Sequence, residues 1–214
     1  MVEPNRVRRG FFTREEVEKL ADHLPAPHAD LVRFLFWSAW RVGEARRLEW
    51  RHYFREEAVI RLPAEFSKNK QPRAIPVLGE LASVIERRWK ARRLDCARIF
   101  HADGKLIGDI RKRWATACRA IGLEGQIVHD LRRSGVKHLI DSGVDPHTTM
   151  AFSGHRTPSM LRRYHIAVSH HRPGRPPRCA PRTTAGRERP LPQSGREQPH
   201  FSHTTGKKPR DGAP

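Results

Sequence analysis

The amino-acid sequence predicts a predominantly helical α+β domain with a small antiparallel β-sheet or hairpin, followed by a basic tail. Three observations carry that expectation. Apolar residues return at helical spacing behind cap signals, two short segments alternate in polarity around a polar turn, and all periodicity stops near Ala167.

Thr13 and Glu16 form a capping-box signature before Val17, Leu20, Ala21 and Leu24, which share one helix face, and Pro25 and Pro27 mark its end. Asp30 opens a dense apolar run, Leu31, Val32, Phe34, Leu35, Phe36 and Trp37, as expected of a buried core helix. Val42 to Leu48 predicts another helix after a short break. Ile60 and Leu62 share one face of a strand over 58–62, and Ile75 and Val77 do the same over 73–77. Lys68-Asn69-Lys70-Gln71-Pro72 supplies turn chemistry between them, giving a hairpin or three-stranded sheet.

Helices are expected at about 79–93, with Leu81, Val84, Ile85 and Trp89 on one stripe, at about 109–121, and at about 130–142, stopped by Gly143. Asp145-Pro146 and Thr157-Pro158 each read as an N-cap followed by proline at the first helical position. Two short helices then flank Ser153-Gly154-His155, which puts His155 in a loop and Tyr164 within or just after a helix.

A chain of 214 residues suits one domain, or one domain and a tail. Lys and Arg number 42 against 23 Asp and Glu, a formal charge of +19, so a polyanionic partner is the first functional expectation. Residues 167–214 hold nine of the 17 prolines and ten of the 42 basic residues, and are expected to be a disordered tail. The body before it stays basic in its own right, with 32 Lys and Arg against 20 Asp and Glu. Cys96, Cys118 and Cys179 are odd in number and show no CxxC spacing, which argues against a disulfide framework or a cysteine zinc site and fits a reducing cytoplasm. No apolar stretch suggests a signal peptide or membrane span. The histidines at 165, 170, 171, 200 and 203 lack regular ligand spacing or a paired carboxylate, so no metal is expected.

The strongest local chemical signal is His129-Asp130-Leu131-Arg132 at a helix start, because residues three apart share a face and can meet one ligand. An arginine fork matches two phosphate oxygens, and an adjacent imidazole can move a proton near neutral pH. Around this pair lie Arg41 within Ser38-Ala39-Trp40-Arg41-Val42-Gly43-Glu44, Lys68 within the turn before Arg73-Ala74-Ile75-Pro76, Gly154-His155, and Tyr164 nine residues after His155.

This ordered set resembles the tyrosine recombinase family, also called phage integrases, over about residues 11–166. The resemblance implies a tyrosine recombinase catalytic domain over 11–166, between a short basic lead at 1–10 and the tail. It implies that Arg41 and Arg132 grip the non-bridging oxygens of the scissile phosphate, that Lys68 protonates the departing 5′ oxygen, and that His129 takes part in proton transfer with the attacking tyrosine. His155 would donate a hydrogen bond to the phosphate and Tyr164 would form a 3′-phosphotyrosyl link, with no metal or other cofactor. An unshifted phenol ionises near pH ~10, so the nucleophile needs a base or a cationic field beside it. Lys70 competes with Lys68, and alignment on Arg73-x-x-Pro76 favours Lys68; Tyr53 rivals Tyr164 but lies outside any matching motif. Glu44 resembles the acid that follows the first arginine in the family and is expected to orient rather than react.

The expected function is site-specific DNA recombination or integration in the cytoplasm, at the nucleoid, with double-stranded DNA as partner and self-assembly on it into a synaptic oligomer. No membrane or small-molecule substrate is expected. A relaxing topoisomerase with the same chemistry and a non-catalytic DNA-binding remnant are the alternatives. Departures from the family underlie the second of these. The catalytic segment starts almost at once, at Gly10-Phe11-Phe12-Thr13, where full-length members carry a helical clamp domain; Pro-Arg-rich sequence follows the tyrosine in place of an assembly helix; and Ala39 stands where glycine is usual.

Overall fold

Helix α1 (Arg14–Asp22) forms where its cap predicts. Thr13 accepts from the Glu16 N–H, Glu16 reaches back to the Thr13 N–H, and Val17, Leu20 and Ala21 are buried. The computed structural model describes residues 10–67, 69–159 and 161, so the tail expected over 167–214 and all but the last residue of the lead lie outside the described residues.

Helix α2 (Ala26–Ser38) starts before Asp30, the expected opening. Pro27 stands in its first turn, where a missing N–H breaks no helical bond, so the prolines that end one helix also begin the next. It is the centre of the molecule. Leu31, Val32, Phe34, Leu35 and Phe36 are all buried, and α1, α4 (Gly79–Lys90) and α6 (Val128–Asp141) pack against it. Each large apolar side chain withdrawn from water contributes roughly 1.5–3 kcal/mol. The buried Asp30 in this helix is matched by Arg87, whose Nε donates to it at 2.8 Å.

Ala39 then turns left-handed (φ 52°) and ends α2. Helix α3 is shorter than the expected Val42–Leu48, spanning Val42–Ala45, because the amides of Arg47 and Leu48 bond to carbonyls three residues back and tighten the chain into a turn. A single 3-10 turn (Trp50–His52) leads into the sheet.

The sheet has three antiparallel strands in the order β1 (Tyr53–Phe54), β2 (Val59–Leu62), β3 (Arg73–Pro76), with Ile60 facing Ile75 and Leu62 facing Arg73. Alternation thus sends Ile60, Leu62 and Ile75 inward and takes Arg73 with them. The β2–β3 connection is a longer excursion than a tight hairpin turn, with a 3-10 turn at Ala64–Phe66.

Helix α4 buries Leu81, Val84 and Ile85 as expected, together with Arg88, whose guanidinium donates to the carbonyls of Ile99 and His101. Trp89 is half-buried and meets Trp50 edge-on at 5.0 Å. A second hairpin, β4 (His101–Ala102) with β5 (Lys105–Leu106), was not anticipated; Asp103 and Gly104 turn it, both at positive φ. Helix α5 (Arg111–Ala120) turns Trp114, Ala117 and Cys118 into the core.

Helix α6 packs closely on α2 through Gly135, where an added Cβ would lie 2.1 Å from the Phe36 carbonyl oxygen. Helix α7 (Pro146–Ser153) is capped by Asp145, which accepts from the N–H groups of His147 and Thr148, and stops at Gly154 (φ 71°). Pro158 and Ser159 are again helical, in line with a short helix beyond the His155 loop. The C-terminal end of α2, the first turns of α6, the end of α7 and strand β3 therefore meet at one place.

Candidate active site

Arg41 is the N-cap residue of α3, and Glu44 clamps it twice. The Arg41 N–H donates to Glu44 Oε2 and its Nη1 donates to Oε1, both at 2.9 Å. Glu44 is itself buried and also receives Arg73 Nη2 at 2.6 Å, so one carboxylate holds two guanidinium groups. Burial pushes the Glu44 carboxyl toward neutrality; the Arg41 N–H and the Arg73 and Arg41 charges outweigh it and hold the group below its ordinary value. Arg41 keeps part of its side chain in solvent, as a ligand-gripping group requires.

Arg132 approaches from α6. It is buried, and its Nη1 donates to the Ala39 carbonyl at 2.6 Å, placing a cation at the C-terminal end of α2 where the helix dipole favours one. The left-handed turn at Ala39 separates the end of α2 from Arg41, which starts α3. One turn earlier on α6, His129 is exposed, with Asp130 behind it accepting from the Ile127 N–H at 2.9 Å and locking the helix start. Trp40, Arg41, Glu44, Arg47, Ser67, His129 and Arg132 all line one cleft of about 450 Å³.

His155 enters from the loop after α7. Its Nε2 lies 3.5 Å from Arg132 Nη2 and its Nδ1 lies 2.7 Å from Ser153 Oγ. Burial lowers its pKa first, then Arg132, Arg41, His129 and Arg73, to about 4. His129 is lowered by partial desolvation and then by Arg132 and Arg41. Both imidazoles are neutral at pH 7, and the arginines supply the site's fixed positive charge. Such an arrangement can hold an anion. Its geometry suits a phosphate whose negative charge grows during reaction.

Of the six residues singled out from sequence, the structure brings Arg41, His129, Arg132 and His155 together. Lys68 and Tyr164 lie outside the described residues. The backbone beside Lys68 does reach the site. Asn69 Nδ2 donates to the Gly154 carbonyl at 3.1 Å, and Arg156 Nη2 donates to the Asn69 carbonyl at 3.2 Å. Sequence reasoning did not single out Arg73 or Ser153. The inward alternation of Arg73 with Ile75 was a usable signal, whereas nothing local distinguishes Ser153 from an ordinary helix-end serine. Among the described residues no group of three or more His, Cys, Asp or Glu is placed to hold a metal ion, and no helix is long and apolar enough to cross a membrane.

Comparison with known proteins joins this geometry to a lineage. A model of the phage integrase family matches residues 10–170. The chain belongs to the phage integrase family. Its relative in Salmonella phage P22, an integrase, is 22% identical over 182 residues, covering 78% of this chain and 46% of that protein, so the chain spans about half the length of this curated relative. Among solved structures, the fold is similar to that of the XerA recombinase (TM-score 0.64, 17% identity, 81% of this chain and 68% of that one). It is similar as well to a lambda integrase dimer bound to a COC′ core site (TM-score 0.65, 16% identity, 81% and 53%). A third likeness is the Tn1549 transposon integrase in complex with circular intermediate DNA (TM-score 0.63, 16% identity, 76% and 62%). This phage integrase family member thus has the catalytic-domain fold of tyrosine recombinases, built on α2, α6 and α7 around a small antiparallel sheet.

Proposed function

We propose that this chain is the catalytic domain of a site-specific DNA recombinase or integrase that cuts and rejoins DNA through a 3′-phosphotyrosyl intermediate. The observation that carries the reading is the convergence of Arg41 and Arg132 on one cleft from separate helices, with His129 and His155 beside them. In this reading the two guanidinium groups bind the non-bridging oxygens of a DNA phosphodiester and stabilise the charge of the pentacoordinate transition state. His129, exposed at the cleft, moves the proton of the attacking phenol, and His155 hydrogen-bonds the phosphate. Tyr164 is the nucleophile and Lys68 the acid for the leaving 5′ oxygen. The phosphotyrosyl bond conserves the energy of the broken linkage, so rejoining needs no ATP.

Residues 11–166 make up the catalytic domain in this reading, with 1–10 and 167–214 as basic extensions. Double-stranded DNA is the partner, consistent with the charge of +19 and with the lambda integrase of similar fold, which was solved as a dimer on its core site. Self-assembly on DNA and a place at the cytoplasmic nucleoid belong to the same proposal.

The test is covalent capture. Purified protein is incubated with a library of nicked suicide duplexes carrying randomised cores, and adducts are separated under denaturing conditions. A protein–DNA adduct is expected, and Tyr164→Phe abolishes it while duplex binding persists. Salt-sensitive duplex binding with no adduct from the unaltered protein would reject the catalytic reading, and an undiminished adduct in Tyr164→Phe would reject the nucleophile.

A further inference from the structure

Ser153 is fully buried at the end of α7, and its hydroxyl has two close partners. Oγ lies 2.6 Å from the Thr149 carbonyl oxygen and 2.7 Å from His155 Nδ1. A carbonyl oxygen carries no proton, so at that separation the hydroxyl must be the donor. A hydroxyl has one proton to give. In its second contact Oγ therefore accepts, and the proton between Ser153 and His155 sits on Nδ1.

The other edge of the ring agrees. Nε2 lies 3.5 Å from an Arg132 nitrogen, and a guanidinium only donates, so a proton on Nε2 would set two donors against each other. Among the described residues, the charged and titratable groups that act on the ring are Arg132 and His129 from α6, Arg41 from the start of α3 and Arg73 from β3. Glu44 is engaged between Arg41 and Arg73. Burial and these four groups each disfavour a second proton on the ring.

We propose that Ser153 is a positioning residue that holds His155 as its Nδ1–H tautomer, leaving Nε2 beside Arg132 as a hydrogen-bond acceptor. The tautomer stands on hydrogen-bond geometry; its consequence for strand cleavage rests on the function proposed above. In that setting His155 donates to a phosphate oxygen from Nε2 only after Nε2 has taken one proton from solvent. The resulting imidazolium keeps Nδ1–H on Ser153 and offers Nε2–H to the phosphate, so phosphate capture and proton uptake become one event.

Long-range proton–nitrogen correlation NMR on the DNA-free full chain reads the tautomer directly, with the His155 signal assigned by its loss in His155→Gln. The expected pattern has Nδ1 protonated and Nε2 bare, and a predominantly Nε2–H ring would overturn the proposal. In Ser153→Ala the ratio of Nδ1–H to Nε2–H is expected to fall several-fold, and an unchanged ratio would remove Ser153 from the role. Both readouts precede any DNA chemistry, so failure here is distinguishable from failure of the adduct assay.

Discussion

Arg73 and Glu44 meet as a buried ion pair at 2.6 Å, although 29 residues separate them in sequence. Glu44 turns its other oxygen to Arg41, so a residue of the sheet steadies an arginine at the cleft. Arg73 is fixed from two further sides, lying 5.6 Å from the centre of the Trp40 ring and against Gly154.

Removing the carboxylate is therefore expected to cost more than removing the distant arginine. Glu44→Leu leaves Arg73 charged and buried, which is expected to cost about 3–5 kcal/mol, whereas Arg73→Met leaves Glu44 still bonded to Arg41. Urea denaturation of the two single variants and the double variant checks this. The double variant is expected to be less destabilised than the sum by about 0.5–3 kcal/mol. Strict additivity would show that the pair contributes no coupling.

Two glycines are expected to tolerate no methyl group, for different reasons. A Cβ at Gly135 would lie 2.1 Å from the Phe36 carbonyl oxygen, and the α2 backbone has little room to yield. At Gly154 the added Cβ would lie 2.0 Å from Arg73 Nη1, on a residue already at φ 71°. Either alanine variant is expected to lose about 1–3 kcal/mol or more in thermal or urea unfolding. At Gly43, in α3 with open space around it, alanine is expected to gain up to about 1 kcal/mol. Equal tolerance at all three positions would contradict the packing described here.

His155 makes stability depend on pH. Its folded pKa of about 4 lies below the ordinary imidazole value of 6.5, so between those values the unfolded chain binds more protons. Stability is full above the unfolded value and falls as pH drops from about 6.5 to about 4, by up to about 3 kcal/mol from this group. His28, His52, His101, His129 and His138 are lowered too and add in the same direction. The comparison that isolates His155 is the slope of unfolding free energy with pH in the parent and in His155→Gln. The variant's slope is expected to be shallower, and identical slopes would show that burial of this ring is not penalised.

Local physics was legible in the sequence. The Thr13–Glu16 box, the Asp145-Pro146 cap and the Gly143 stop act over three or four residues, and each marks a real element boundary. Boundaries that depend on tolerance are harder to read, since Pro27 reads as a helix end in sequence and lies within the first turn of α2 in the structure. The Asp103-Gly104 pair is a hairpin signal, but the strands beside it are only two residues long and show no alternation to read. In the site, the His129–Arg132 pair is legible from its helical spacing, whereas Arg41 and His155 are legible only through the resemblance of the ordered set to a known family. The residues that aim them were not legible, because Arg73 and Ser153 act through contacts that exist only once β3, α3 and α7 have come together.

The Asn69 amide links two segments that the chain itself keeps 85 residues apart, by donating to the Gly154 carbonyl. Arg156 closes the link from the other side by donating to the Asn69 carbonyl. These two hydrogen bonds tie the stretch after β2 to the stretch after α7 at two points. Displacing either stretch would strain both hydrogen bonds, so a shift on one side is opposed from the other.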